Sequence, residues 1–155
     1  MNALPSRDRH PPQDLDQNAA PAPANLANRS VAEIMSQPVV ALTPDRVLDE
    51  ALDALVRFGI RHLAVVHRGG RCLGIISDRM IVSAWAHNMS CLGVRRVRDL
   101  LDPEPATVHP QTTVAEVARV MAQLRVDAVA VTEPDGTLTG IVTGSDLVAL
   151  LSRDD

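Results

Sequence analysis

The feature of this sequence that most constrains its fold is an internal repeat with a period of 66 residues. A fixed period of this kind indicates two copies of one supersecondary unit. Without any gap, the shift superimposes identical residues along both halves: Val31 on Val97, Pro44 on Pro110, Glu50 on Glu116, Ala64 and Val65 on Ala130 and Val131, Gly70 on Gly136, Gly74 and Ile75 on Gly140 and Ile141, and Val82 on Val148.

Each copy predicts the element order β-α-β-β-α. Apolar residues recur at helical spacing over 48–58 and 114–124, and Thr113 with Glu116 offers a capping box for the second of these helices. Gly59 suits the end of the first. The other predicted elements are opening strands at 38–42 and 104–108, hairpins at 62–66 with 72–76 and 128–132 with 138–142, and closing helices at 78–86 and 145–151.

A unit of about 55 residues has one apolar sheet face that it cannot cover alone. We therefore predict an α/β (α+β) fold in which two β-α-β-β-α repeats pack sheet to sheet about a pseudo-twofold axis. The boundaries expected from the sequence are repeat 1 at 30–86, a linker at 87–96 and repeat 2 at 97–155. Ligand sites are expected in the clefts between the repeats.

Residues 1–29 contain five prolines and only isolated apolar residues, which predicts a disordered N-terminal tail. Ser30 and Glu33 then offer a capping box for a short helix. Trp85 is expected to pack between the repeats.

Composition argues against several classes of protein. With 19 acidic and 15 basic residues, and with Phe58 and Trp85 as the aromatic residues, the chain lacks the signature of a nucleic-acid binder. No apolar stretch approaches the ~20 residues that span a bilayer, and Cys72 and Cys91 are too few for a disulfide framework. We therefore expect a cytoplasmic protein that binds neither nucleic acid nor membrane.

Catalytic and metal-binding patterns are not found either. No nucleophile is paired with a recognisable base, the histidines lack metal-ligand spacing, and the glycines fit no phosphate-binding fingerprint. We expect no enzyme activity, no metal and no tightly bound cofactor.

Two stretches written to one pattern end differently: GIISDRM closes on Met80, and GIVTGSD closes on Asp146. Together with VAEIMSQPVVAL, GIRHLAVV, VRDLLDPEPATV and VDAVAVT, they give the chain a resemblance to a tandem pair of CBS domains, also called a Bateman module. The resemblance covers residue 30 to about residue 151 and rests on the order, spacing and duplication of these motifs.

The resemblance implies that AMP, ADP, ATP or S-adenosylmethionine binds in an inter-repeat cleft as a regulatory ligand. The family motif is Gly-h-h-Ser/Thr-x-x-Asp, in which h is apolar, the hydroxyl reaches phosphate or ribose, and the carboxylate accepts the ribose hydroxyls. Thr143 and Asp146 fill this motif, beside Ser145 at the start of a helix. The resemblance implies that repeat 1 completes the site with Ser36, Val40, Ile60, Arg61 and His62.

The other cleft is expected to be degenerate. Ser77 is present, but Met80 replaces the carboxylate, and a thioether is a weak acceptor. Asp127 stands where Arg61 stands in the first site and is expected to repel phosphate. The remaining residues predicted for this cleft are Ala106, Val126 and Ala128. We therefore expect one nucleotide to bind per chain, in the cleft that contains Thr143 and Asp146.

Simpler interpretations stay open. Thr143 and Asp146 also form a capping-box pattern that needs no ligand, and His62 is of a type that often serves only as a hydrogen-bonded structural residue. The function predicted from the sequence is a small regulatory module that signals energy or ligand status through its conformation or assembly. It is expected to form a homodimer and to act on an effector protein. The alternatives are a ligand-free dimerisation scaffold and, third, a nucleic-acid binder.

Overall fold

The computed structural model describes residues 25–153 and confirms the duplicated β-α-β-β-α order. Repeat 1 contains β1 (Ala41–Leu42), α1 (Leu48–Phe58), β2 (His62–Val66), β3 (Cys72–Ser77) and α2 (Asp78–His87). Repeat 2 contains β4 (Thr107–Val108), α3 (Val114–Leu124), β5 (Ala128–Thr132), β6 (Leu138–Thr143) and α4 (Gly144–Ser152).

Each repeat forms a three-stranded sheet of the same topology. In the first sheet β1 pairs parallel to β2, and β2 pairs antiparallel to β3; the second sheet, β4-β5-β6, repeats this arrangement. A register shift falls between Val65 and Val66 in one sheet and between Val131 and Thr132 in the other. The irregularity is therefore part of the duplicated unit.

The opening strands are shorter than predicted, two residues each instead of five. In repeat 1 the chain before β1 is used for contacts with repeat 2. Ser36 N–H donates to the Ile141 carbonyl at 2.9 Å, and the Gln37 amide donates to the Thr139 carbonyl at 2.7 Å. Pro38, which follows, has no N–H for a strand ladder.

The helix ends follow the local signals. Thr113 and Glu116 form the predicted capping box of α3, and Gly59 ends α1 in the left-handed conformation with φ of 63°. Arg125 takes the same conformation after α3, with φ of 54°. A residue in the left-handed conformation therefore ends both helices, although only the first of the two is a glycine.

The two repeats exchange their opening segments. Val31 N–H donates to the Thr112 carbonyl at 2.9 Å, and the equivalent Val97 N–H donates to the Arg46 carbonyl at 2.8 Å. As a result the fully buried Val31 packs in the core of repeat 2. Val97 is buried in the core of repeat 1. Each hydrophobic core is completed by a residue from the other half of the chain.

The first glycine of each duplicated motif makes room for this exchange. A Cβ at Gly140 would lie 2.5 Å from the Met35 sulfur, and one at Gly74 would lie 3.0 Å from Leu101 Cδ2. Met35 and Leu101 are themselves equivalent under the 66-residue shift. The glycines therefore allow the close approach of the exchanged segments.

The N-terminal predictions need correction. Residues 1–24 of the predicted tail lie outside the described part, but Leu26–Asn28 form a 3₁₀ turn, and the Arg29 carbonyl accepts from Val114 N–H at 2.9 Å. The Ser30 and Glu33 capping box is not formed, because the Glu33 carboxylate pairs with Arg29 at 2.7 Å. Ser30 still caps the 3₁₀ helix Val31–Glu33 through Ala32 N–H.

Candidate functional site

A cavity of about 350 Å³, the Thr143 cleft, opens where β6 turns into α4. Its volume falls within the usual range of small-molecule sites, about 300–1,000 Å³. Both repeats contribute to its walls. It is lined by Ser36, Pro38, Val39, Val40, Gly59, Ile60, Arg61, His62, Ile141, Thr143 and Ser145. The structure therefore brings together seven of the eight residues predicted for the nucleotide site, all except Asp146.

Asp146 lies beside the cleft rather than in its lining. Its Oδ2 accepts from Thr143 N–H at 2.8 Å and from the Thr143 hydroxyl at 3.1 Å, which forms the capping box of α4. Its Oδ1 is 3.5 Å from the hydroxyl of Ser36, a cleft residue. The capping role is therefore confirmed, and Oδ1 retains acceptor capacity toward the cleft.

His62 forms a cross-repeat pair that the sequence did not predict. Its Nε2 is 3.0 Å from Asp127 Oδ1; the imidazole is 10% exposed and the carboxylate 68% exposed. Burial raises the pKa of Asp127, but the hydrogen bond and charge of His62, a backbone hydrogen bond and the charge of Arg79 together hold that pKa below its usual range. No local signal in the sequence joins residues in different repeats.

The start of α4 also contacts Asp127. Gly144 N–H donates to the Asp127 carbonyl at 2.9 Å, and Asp146 N–H donates to the Thr143 hydroxyl at 3.4 Å. Two of the first three amides of this helix are thus already hydrogen-bonded within the protein. Ser145, between them, lines the cleft.

The pseudo-equivalent cavity, the Met80 cleft, has a volume of about 440 Å³. Four of the six residues predicted for the degenerate site line it: Met80, Ala106, Val126 and Ala128. Asp102 and Glu104 also line it and were not predicted from the sequence. No arginine, lysine or histidine is among its lining residues.

Two residues predicted for the Met80 cleft belong elsewhere. Ser77 is the N-cap of α2, because its hydroxyl accepts from Met80 N–H at 3.2 Å. The Asp127 carboxylate contacts His62, which lines the Thr143 cleft, and Asp127 is not among the residues that line the Met80 cleft. The predicted position of Asp127 in the second site is therefore corrected.

Two ligand-sized clefts lie between the duplicated halves. Each is lined by the strand-to-helix turn of one repeat and by residues of the other repeat, as in a paired-repeat module of the CBS type. The CBS domain model matches residues 31–87 and 97–153. The chain belongs to the CBS domain family.

Individual relatives agree with this assignment. A CBS domain-containing protein of Dictyostelium discoideum is 31% identical over 132 residues, covering 79% of this chain and 91% of the relative. The next three curated relatives are longer, and the chain spans between 21% and 26% of their length.

Two solved structures are similar over most of this chain. The CBS domain pair of protein MJ0100, in complex with 5′-methylthioadenosine and S-adenosyl-L-methionine, is 26% identical with a TM-score of 0.75, covering 82% of this chain and 98% of that one. CBSX2 in complex with AMP is 25% identical with a TM-score of 0.69, covering 80% and 96%.

Over residues 25–153, no helix has the length and apolar character needed to cross a membrane. Within the same residues, no group of three or more His, Cys, Asp or Glu side chains is arranged to hold a metal ion.

Proposed function

We propose that the protein is a regulatory CBS pair that binds one adenosine nucleotide per chain in the Thr143 cleft. The observation that carries this proposal is the convergence of three groups there: Arg61, the start of α4 at Ser145, and the Asp146 carboxylate beside Ser36. The start of α2 borders the Met80 cleft in the same way, but no arginine lines that cleft and Met80 stands at the position equivalent to Asp146. The complexes of MJ0100 and CBSX2 support an adenosine compound as the ligand.

The cleft offers a distinct surface for each part of such a ligand. Val40 and Ile60 supply apolar walls for the base, and Asp146 Oδ1 with the Ser36 hydroxyl suits the ribose hydroxyls. Arg61 and the N-terminus of α4 suit a phosphate. Each group thus meets the ligand chemistry that it can bind.

Because both repeats line the cleft, a bound ligand contacts both and favours whichever relative arrangement it fits better. The signal is limited by the difference in affinity between the two arrangements. We propose that this difference is read in the cytoplasm by an effector protein or by a change in assembly, without catalysis.

The test is a calorimetric titration of the protein with AMP, ADP, ATP and S-adenosylmethionine, in parallel with Asp146→Ala and Met80→Asp. We expect about one ligand per chain for the wild type, because only the Thr143 cleft combines an arginine, Arg61, with the motif carboxylate of Asp146 beside it. Asp146→Ala should bind about tenfold or more weakly while retaining the fold, and Met80→Asp should raise the stoichiometry. If the wild type binds none of the four compounds, the sensor proposal is wrong.

A dimerisation scaffold is the second candidate, and exposed apolar residues on two helices favour it. Trp85 is 43% exposed on α2, so the expectation that it packs between the repeats is wrong. It lies beside the exposed Val82, and the pseudo-equivalent residues Val148 and Leu151 are exposed on α4. Two such patches related by pseudo-symmetry suit a twofold homodimer.

Sedimentation of Val82→Glu with Val148→Glu tests this assembly. A dimer held by these helices should become a monomer. Val94→Glu, at an exposed position in the linker that joins the two repeats, should leave the dimer unchanged. Dimerisation without any nucleotide binding would favour the scaffold.

A further inference from the structure

We propose that Asp127 determines the ligand class of the Thr143 cleft: it disfavours di- and triphosphates, so the cleft takes an adenosine compound with at most one phosphate group. The inference rests on the proposed function and narrows it.

Asp127 occupies two donors that a phosphate would otherwise use. Its carboxylate is 3.0 Å from His62 Nε2, and its backbone carbonyl accepts the Gly144 N–H at 2.9 Å. His62 lines the cleft, and Gly144 begins the helix whose N-terminus borders it. A chain of phosphates entering here therefore finds fewer free donors than a helix N-terminus normally offers.

The charges at the cleft also oppose a polyanion. Arg61 contributes one positive charge, whereas Asp127 and Asp146 contribute two negative charges, a formal sum of 1 − 2 = −1 for these three side chains. ATP carries about two more negative charges than AMP. The charge of His62 and, to a smaller extent, that of Arg79 lower the pKa of Asp127 and offset part of this repulsion.

Releasing Asp127 from His62 does not remove this repulsion. The imidazole is only 10% exposed, so it offers its Nε2 to a ligand only by giving up Asp127. The freed carboxylate would still stand next to His62, a residue of the cleft lining, and charges closer than a Debye length, about 8 Å at physiological ionic strength, are incompletely screened. Each added ligand charge thus weakens binding.

The internal repeat pairs Asp127 with a residue of opposite charge. Asp127 is the 66-residue equivalent of Arg61, and both residues directly precede a central strand. In repeat 1 this backbone position places the Arg61 cation in the lining of the Thr143 cleft. In repeat 2 it places the Asp127 carboxylate against His62, beside the same cleft.

The experiment is a pair of calorimetric titrations, AMP and ATP without Mg²⁺, on the wild type and on Asp127→Asn. We expect AMP to bind about tenfold more tightly than ATP to the wild type, and the ratio to fall by about fivefold in the variant, because one carboxylate charge is removed at short range. A purely structural loss would weaken both ligands alike and leave their ratio unchanged.

Two variants complete the design. Asp127→Glu keeps the charge and should keep the preference for AMP. Asp53→Asn removes one charge from the exposed face of α1 and should also keep it, which separates the local effect from net charge.

The outcomes distinguish the two proposals. If ATP binds the wild type as tightly as AMP, or if Asp127→Asn leaves the ratio unchanged, this inference is overturned and the proposed function stands. If neither protein binds either nucleotide, nor S-adenosylmethionine as a third probe, both proposals fail.

Discussion

Asp146 uses a single carboxylate oxygen, Oδ2, for both hydrogen bonds from Thr143, at 2.8 and 3.1 Å. The other oxygen, Oδ1, lies 3.5 Å from the Ser36 hydroxyl of the opposite repeat. An ionised carboxylate has about four acceptor positions, so one side chain can cap α4 and still accept from a ligand. The capping and binding interpretations of this motif are therefore compatible.

Asp146→Ala is expected to reduce nucleotide affinity by about tenfold or more, since charge-assisted hydrogen bonds to the ligand are lost. Loss of the cap should also lower the free energy of unfolding by about 1 kcal/mol. Calorimetric titration and urea denaturation measure the two effects separately.

Glu116→Ala is the matched control for this variant, because Glu116 forms the same capping box with Thr113 at the start of α3, away from the clefts. It should lower stability to a similar degree and leave affinity unchanged. Equal losses of affinity in both variants would mean that Asp146 acts only through stability.

The Thr113 capping box should make stability depend on pH. Hydrogen bonds from the Thr113 backbone and hydroxyl hold the pKa of Glu116 below its ordinary value of 4.5. A lowered pKa in the folded state stabilises the protein at pH values above the unfolded pKa, and this contribution is lost as the pH falls through the folded value. We expect the melting temperature to fall below pH 4.5, and the fall to be smaller in Glu116→Gln.

Glu50 occupies the equivalent position on α1, whose N-cap, Val47, provides no side-chain cap. Glu50→Gln should therefore retain the acid sensitivity of the wild type. An identical acid response of the wild type and Glu116→Gln would contradict the role of the box.

The exchanged segments predict that the two repeats unfold together. Val31→Ala and Val97→Ala should each destabilise the whole chain by about 1–3 kcal/mol, because each removes buried methyl groups from the core of the opposite repeat. Scanning calorimetry should show one transition at a lower temperature for both. Val56→Ala, at a position 75% exposed, should have little effect. Two separate transitions would show that the halves are independent.

Gly140→Ala should destabilise the protein by about 1–3 kcal/mol, because the added methyl group meets Met35 at close range. Combining it with Met35→Ala should recover part of the loss, as expected for contacting residues. Gly69→Ala, where a Cβ meets nothing within 4 Å, is the control. A neutral Gly140→Ala would mean that the exchanged segment shifts without cost.

Much of the fold was predictable because the duplication supports each local pattern twice. The bounds of α1, α3, β2 and β5 follow directly from apolar periodicity and from the turns between them. The convergence of Arg61, His62 and Thr143 on one cleft was predictable only through the family resemblance, since it joins segments about 80 residues apart.

The contacts between repeats were not predictable from local sequence. The pairing of Asp127 with His62, and the use of Ser36 and Gln37 against β6 in place of a longer β1, depend on the relative placement of the halves. A carboxylate in an exposed loop gives the same sequence signal whether it faces solvent or an imidazole. Asp102 and Glu104 were missed for the same reason.

The exchange of opening segments also bears on how such a protein can evolve. A single repeat would leave its core incomplete, so an unduplicated ancestor would need a second identical chain to supply the missing segment. Its two clefts would then share one sequence and change together. Fusion into one polypeptide frees each copy to mutate alone, and the divergence of Met80 from Asp146 is a specialisation that two identical chains do not permit.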